Sequence, residues 1–426
     1  MNESFLQYLW RYKLIKTNDL QSPTGDTINI ISFGFYNNDA GPDFTNCKIK
    51  INDTLWAGNV EIHTKASDWY RHGHDKDQSY DNIILHVVYE NDKMVTRRNN
   101  EPITTLVVKE LFDKNLYDNY TRLMAAKQWV PCQTLLKTTD KSIIGIWKEK
   151  LIIERLERKT QAIIETVNTF NNDWEKAFQI HLFKNFGFKV NATAFEMLAK
   201  SIPVQILAKH KDNAFQIEAL LFGQAGLIPG GFADAYTKLL TKEYAFLKQK
   251  YSLKPIYPPL WRLARMRPAG FPFVRMAQLA QLLHKSEFLF SKILESTHIK
   301  SLSELLKITA GNYWDTHYIF DKTSPFKPKR LGTSAANNVL INTFIPFIFA
   351  YAMQKNLPDK QQQALNFLSA VSAEKNSIIT KWHNAGLTAG SAYDSQALIE
   401  LKNNYCRLKK CLNCMIGHHI LCQPKA

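Results

Sequence analysis

Apolar residues along the start of the chain recur every three to four positions. Phe5, Leu6, Leu9, Trp10 and Leu14 fall on one stripe and predict a helix over residues 2–14. From about residue 27 the pattern shortens. The segments 27–35, 43–51, 55–65, 80–90 and 103–110 are short, rich in Ile, Val, Thr and Phe, and bounded by turn residues, which predicts strands. Asn52-Asp53 reads as a hairpin turn between the second and third. Residues 66–78 fall between strands and predict a short helix plus a loop. After about residue 115 the period is helical almost throughout. Stripes cover 141–170, 174–186, 192–209, 215–222, 233–250, 274–295, 301–309 and 361–370, interrupted by proline-containing stretches at 254–259, 268–273 and 322–330. The expected fold class is therefore α+β. A small mixed-sheet domain over 1–120 is followed by a large helical domain over 121–400 and a cysteine-rich segment over 401–426.

The longest apolar stretch, 339–353, contains Asn342, Thr343 and Pro346. It falls short of the roughly 20 residues that a membrane helix needs, and it predicts a buried helix. The N-terminus carries an early acid and no small-residue cleavage site, so it predicts no secretory signal. A soluble cytoplasmic protein without membrane partners is expected. Six cysteines in such a chain predict no disulfide framework.

Charge changes this picture. The net charge is +16, and residues 1–120 hold 13 Lys/Arg against 17 Asp/Glu, so the excess of base lies in the helical part. That asymmetry points to an anionic partner, of which nucleic acid is the commonest. A basic surface that only confers solubility has the same composition.

Most of the candidate chemistry lies in GPDFTNCKIKINDTLWAGNVEIHTKASDW. With a turn at 52–53, antiparallel pairing sets Asp43 opposite Ile62, flanked by Glu61 and His63. Alternation puts Glu61, His63 and Lys65 on one face. Two carboxylates brought close repel unless a cation lies between them, and Mg²⁺ or Mn²⁺ bound there would take phosphate oxygens and water as further ligands. A neighbouring Lys or His could deprotonate the attacking water. A solvated strand face shows the same alternation of Glu, His and Lys.

The order helix, strands bearing Pro42-Asp43 and an acid followed by Lys, then helix and strand, resembles the PD-(D/E)xK nuclease superfamily over about 90 residues. The resemblance implies that Asp43 and Glu61 hold the metal. His63 stands where the superfamily carries lysine, and a lysine follows at Lys65. Glu3, on the first helix, matches the helix-borne acid of some members. The motifs GPDF, GNVEIH, SDWYRHGHDKD and YDNIILHVV and the terminal cysteines also resemble, over the full chain, a bacterial family designated only as a domain of unknown function. That resemblance implies no activity.

Histidines crowd the same region: His63, His72, His74 and His86 are four of the chain's twelve. Imidazole suits Zn, Mn, Fe or Ni, which makes a His-rich metallohydrolase of a small substrate the alternative reading. A solvated HGHDKD loop and a core His86 account for the same residues without any metal.

In the helical part Arg262, Arg265, Arg267 and Arg275 stand beside Trp261, Phe271 and Phe273, a composition suited to phosphates and bases, or to ion pairs between helices. At the end of the chain Cys406, Cys411, Cys414 and Cys422 have spacings that suit a structural zinc and, secondarily, an iron–sulfur cluster. Buried free cysteines on a helix would have the same spacing. Three functions follow: a divalent-metal nuclease-like protein, a small-molecule metallohydrolase, or a non-catalytic nucleic-acid adaptor with a structural zinc.

Overall fold

The first helix, α1 (Glu3–Arg11), is capped by the Asn2 side chain, which accepts the Phe5 N–H, and it buries Phe5, Leu6, Tyr8, Leu9 and Trp10. The computed structural model describes every residue except 232, 233, 265, 267, 425 and 426. The fold is α+β, a mixed sheet near the N-terminus followed by a large helical region. The chain divides into two units, Met1–Trp147 with Lys402–Ala426, and Lys148–Leu401. Where the sequence pattern sets 401–426 apart, residues 402–424 belong to the first unit.

The sheet of the first unit is built from β1 (Leu20–Gln21), β2 (Thr27–Ser32), β3 (Phe35–Tyr36), β4 (Phe44–Ile51), β5 (Thr54–Lys65), β6 (Ile83–Glu90) and β7 (Thr105–Val107). The order is β1-β2-β4-β5-β6-β7, and β3 pairs with β4. β4 and β5 form the expected antiparallel hairpin, whereas β5, β6 and β7 run parallel. Parallel neighbours need a crossover, and here residues 66–82 with the short helix α2 (Asp68–Arg71) supply it.

The crossover is held by its hydrophobic side. Trp69 is buried with Ala66, Ile83, Val88, Val95 and Ile103, and its indole N–H donates to the Thr96 carbonyl at 3.1 Å. A tryptophan in that position fixes the loop that follows it, because truncating a buried Trp costs about 3–5 kcal/mol.

The hairpin register departs from the sequence expectation at one point. Ile51↔Thr54 through Cys47↔Gly58 follow the predicted pairing, but an irregularity between Phe44 and Cys47 then shifts it, so that Phe44 faces Val60. Asn46, in the left-handed region at φ 57°, lies in that bulge. One extra residue on β4 moves Asp43 from the level of Ile62 to that of Glu61.

The second unit is helical apart from a small hairpin of His317–Ile319 and Lys322–Thr323. The long helix predicted over 192–209 is two, Ala192–Ser201 and Val204–Lys209, because Pro203 removes a donor between them. The apolar stretch is part of a continuous helix, Thr333–Gln354, which is long and apolar enough to cross a membrane by length and composition. Two-thirds of its apolar window is buried within the protein, in keeping with a core helix. Residues Leu340–Phe344 form a π-helical turn, and its carbonyls find side-chain donors: Lys159 Nζ donates to the Ile341 carbonyl at 3.0 Å and Asn185 to the Asn342 carbonyl at 2.9 Å.

Candidate metal centre

The bulge and the crossover loop bring five sequence-predicted residues together: Asp43, Glu61, His63, His72 and His74, with His86 behind them. Glu61 lies at the buried end of β5, only 5% exposed. Its Oε2 accepts the Asp43 backbone N–H at 3.0 Å. Its Oε1 is 3.3 Å from His74 Nε2 and 3.7 Å from His63 Nε2. His63 Nε2 is in turn 3.1 Å from His72 Nδ1. The ligand atoms of His63, His72 and His74 thus lie within 4.8 Å of one another, with Glu61 Oε1 against two of the three.

Local sequence explains how a loop achieves this. After α2, the His72 N–H donates to the Asp68 carbonyl and the His74 N–H to the Trp69 carbonyl. Between them Gly73 takes φ 75°, a left-handed conformation that glycine adopts without penalty. This turn points His72 and His74 at the same strand. The His74 ring stacks on Tyr80 with centroids 3.8 Å apart.

The spacing fits a metal. A tetrahedral shell with ligand distances of 2.0–2.1 Å sets neighbouring donor atoms about 3.4 Å apart. Donor atoms of His63, His72 and His74 all lie within 4.8 Å of one another, the only such group of three among the described residues. The supporting contacts also fit, since metal-binding residues are oriented by the partners of their other atoms. Glu61 is fixed through Oε2 by the Asp43 N–H, and His63 Nδ1 is 2.8 Å from His86 Nε2. If His63 ligates through Nε2, its proton must lie on Nδ1 and be donated to His86. The His86 proton then lies on its own Nδ1, a buried atom without a hydrogen-bond partner.

Electrostatics report the crowding of like groups. Burial, and then the neighbouring Glu61, push Asp43 well above the usual carboxylate range. Glu3, on α1, is raised by burial, then by Glu61 and Asp68. Gln7 bridges these two acids: its Nε2 donates to Asp43 Oδ1 at 2.8 Å and to Glu3 Oε1 at 3.4 Å. Asp43 Oδ2 accepts the Ile62 N–H at 3.1 Å. Burial and the adjacent imidazoles lower His63 to about 2, and burial followed by His74 lowers His86 to about 3. Both histidines are neutral at physiological pH, the form that binds metal.

The remaining predicted residues lie elsewhere. Lys65 is two positions further along β5, half exposed and paired with Glu90 at 3.5 Å. Arg262 is exposed. Arg275 is packed over the Phe188 ring at 4.6 Å and donates to Gln278. Arg265 and Arg267 lie outside the described residues. Cys406, Cys411 and Cys414 gather in the first unit, whereas Cys422 is exposed and its Sγ is 3.9 Å from the Tyr8 hydroxyl.

Sequence reasoning missed Gln7 and Tyr80. Gln7 is one helical turn after Glu3, a spacing that hints at a shared face, but nothing in the sequence connects that face with Asp43.

No curated protein and no solved structure matches the chain. A family model matches residues 3–377, and by that match the chain belongs to the family described as protein of unknown function DUF2851.

Proposed function

We propose that the first unit is a divalent-metal hydrolase of phosphodiesters, nuclease-like in the arrangement of its strands, with Glu61, His63, His72 and His74 as the metal ligands. The observation that carries this reading is the meeting of four donor atoms, 3.1–3.7 Å apart along the contacts that link them, beside the Asp43 carboxylate. A metal bound there would acidify a water molecule and polarise a phosphoryl oxygen. Asp43 is the side chain suited to accept a proton, because its raised pKa places it nearer neutrality than an ordinary carboxylate. Gln7 and the Ile62 N–H hold both of its oxygens and so fix its orientation. His86 holds the His63 ring.

The donor set favours manganese, zinc or iron over magnesium, since three of its four members are imidazoles. Nucleic acid as substrate is supported by the likeness of the strand order to nucleases and by the basic excess of the helical part. The donor set also favours a second reading, hydrolysis of a small ester. Labelled single- and double-stranded DNA and RNA, and a chromogenic phosphodiester, offered to the full-length protein with Mn²⁺, Zn²⁺ or Mg²⁺ separate the two. Cleavage of a nucleic acid that is lost in Glu61→Gln supports the nuclease reading. Turnover of the small ester alone moves the assignment to the second, and failure to bind any of the three metals removes both.

A further inference from the structure

A second group of metal-binding side chains lies in the same unit, apart from the histidines. Cys132, Cys406, Cys411 and Cys414 are free, and three of them are buried. They come from opposite ends of the unit. Cys132 precedes residues 148–401 and the other three follow them.

Local structure brings these thiols together. Cys406 ends the π-helical segment Leu401–Cys406. The chain reverses through Lys409, at φ 51°, with the Lys410 N–H donating to the Tyr405 carbonyl. A 3₁₀ turn, Cys411–Asn413, leads into Cys414, which caps the terminal helix Met415–Leu421. Gly417 sits against the Cys411 backbone so closely that a Cβ would come within 2.1 Å of its carbonyl oxygen. The segment that carries Cys132 is tied to this region by Lys402, whose Nζ donates to the Trp129 carbonyl, and by Lys409, whose Nζ donates to the Met124 carbonyl.

The charge environment is that of neighbouring thiols. Burial raises all four, and Cys132 and Cys406 are raised further by the other members of the group. The Cys414 sulfur lies beside the backbone of Ile416 and Gly417. Cys422 is not in the group, since the neighbours of its sulfur are Tyr8 and His418.

The geometry points to a thiolate-bound metal centre with Cys132, Cys406, Cys411 and Cys414 as its ligands, closing the first unit on either side of residues 148–401. The terminal cysteine run suggested Cys422 as the fourth ligand, and the fold replaces it with Cys132. Spacing bears on the metal. A single zinc ion with four thiolates sets the sulfurs about 3.8 Å apart. Among the described residues no three of these sulfurs lie within 4.8 Å of one another. That wider setting suits a cluster of iron and inorganic sulfide, which four cysteines commonly hold. A single zinc would require the side chains to turn inward.

The test is metal and sulfide analysis of full-length protein purified without oxygen, with its visible spectrum. Iron with sulfide and a broad absorbance near 400 nm, or one zinc per chain, each supports the site and distinguishes its occupant. In either case Cys132→Ser should lose the metal and Cys422→Ser should retain it. Should Cys132→Ser fail to fold, titration of wild-type protein with an organic mercurial is the second measurement, and metal release in step with the buried thiols is expected. Metal-free protein that stays folded and takes up neither iron nor zinc overturns the proposal. So does metal retained in Cys132→Ser and lost in Cys422→Ser.

Discussion

Asp43 and Glu61 are cross-strand neighbours because of a single extra residue in β4. The Asp43 N–H donates to one oxygen of Glu61 and leaves the other facing His63 and His74. Without the irregularity between Phe44 and Cys47, the hairpin would set Asp43 at the level of Ile62, with its side chain on the opposite face. The bulge is therefore part of the centre.

Among the described residues Glu61 is the one carboxylate whose oxygen meets two imidazoles, so Glu61→Gln should weaken metal binding more than any other single acid substitution. The amide keeps an oxygen to accept the Asp43 N–H, so folding should be nearly preserved. Titration calorimetry with Mn²⁺ or Zn²⁺ should show affinity lower by ten- to a hundredfold or more, a loss typical of damage to a ligand or its support. Unchanged affinity would remove Glu61 from the ligand set.

The two buried histidines give the metal-free protein a defined pH response. His63 and His86 have folded pKa values lowered to about 2 and about 3, against an ordinary value near 6.5. A lowered folded pKa means that the unfolded chain takes up protons first. Stability is thus full above pH 6.5 and declines as pH falls toward 3, by at most about 1.4 kcal/mol per pH unit for each histidine. Urea midpoints of chelated protein between pH 7 and pH 5 should show this slope, and His86→Phe should make it shallower. An identical slope in that variant would assign the acid sensitivity to other groups.

Asp43 has the opposite sign. Its folded pKa is raised, so its contribution is full at acid pH and lost as pH rises from the ordinary carboxylate range toward the raised value. Asp43→Asn should therefore stabilise the metal-free protein at pH 8, relative to wild type, with no gain at pH 4. Activity of the metal-loaded protein should disappear in the same variant. Thermal melts at the two pH values, beside one cleavage assay, separate the electrostatic role of Asp43 from its chemical one.

How much of this was legible in the sequence depends on range. The helix at the N-terminus, the hairpin at Asn52-Asp53 and the shared face of Glu61 and His63 follow from local periodicity. The meeting of His72 and His74 with that face does not, because it depends on the docking of Trp69 into a core drawn from residues 66–103. The bulge at Asn46 was also hidden, since a left-handed Asn in mid-strand carries no local sign. Cys132 was the least legible. Its partners are more than 270 positions away, and only the fold shows that it, and not Cys422, stands beside Cys411 and Cys414.

Gly73 offers the sharpest test of how the centre is built. It lies between the two loop histidines at φ 75°, and a Cβ built on it meets no atom within 4 Å. Gly73→Ala therefore adds no clash. Its whole effect is conformational, about 1–2 kcal/mol for an L-residue held in the left-handed region. If the loop keeps its shape, that strain should appear as a lower melting temperature with metal affinity intact. If the loop relaxes instead, His72 and His74 should move apart, and affinity should fall while the fold stays as stable as before. The geometry favours the first outcome. Residues 72–74 follow α2 at the edge of the Trp69 core, where two backbone bonds, His72 to Asp68 and His74 to Trp69, oppose relaxation. Parallel melts and metal titrations of Gly73→Ala distinguish the cases. No change in either measurement would show that the loop does not set the spacing of its histidines.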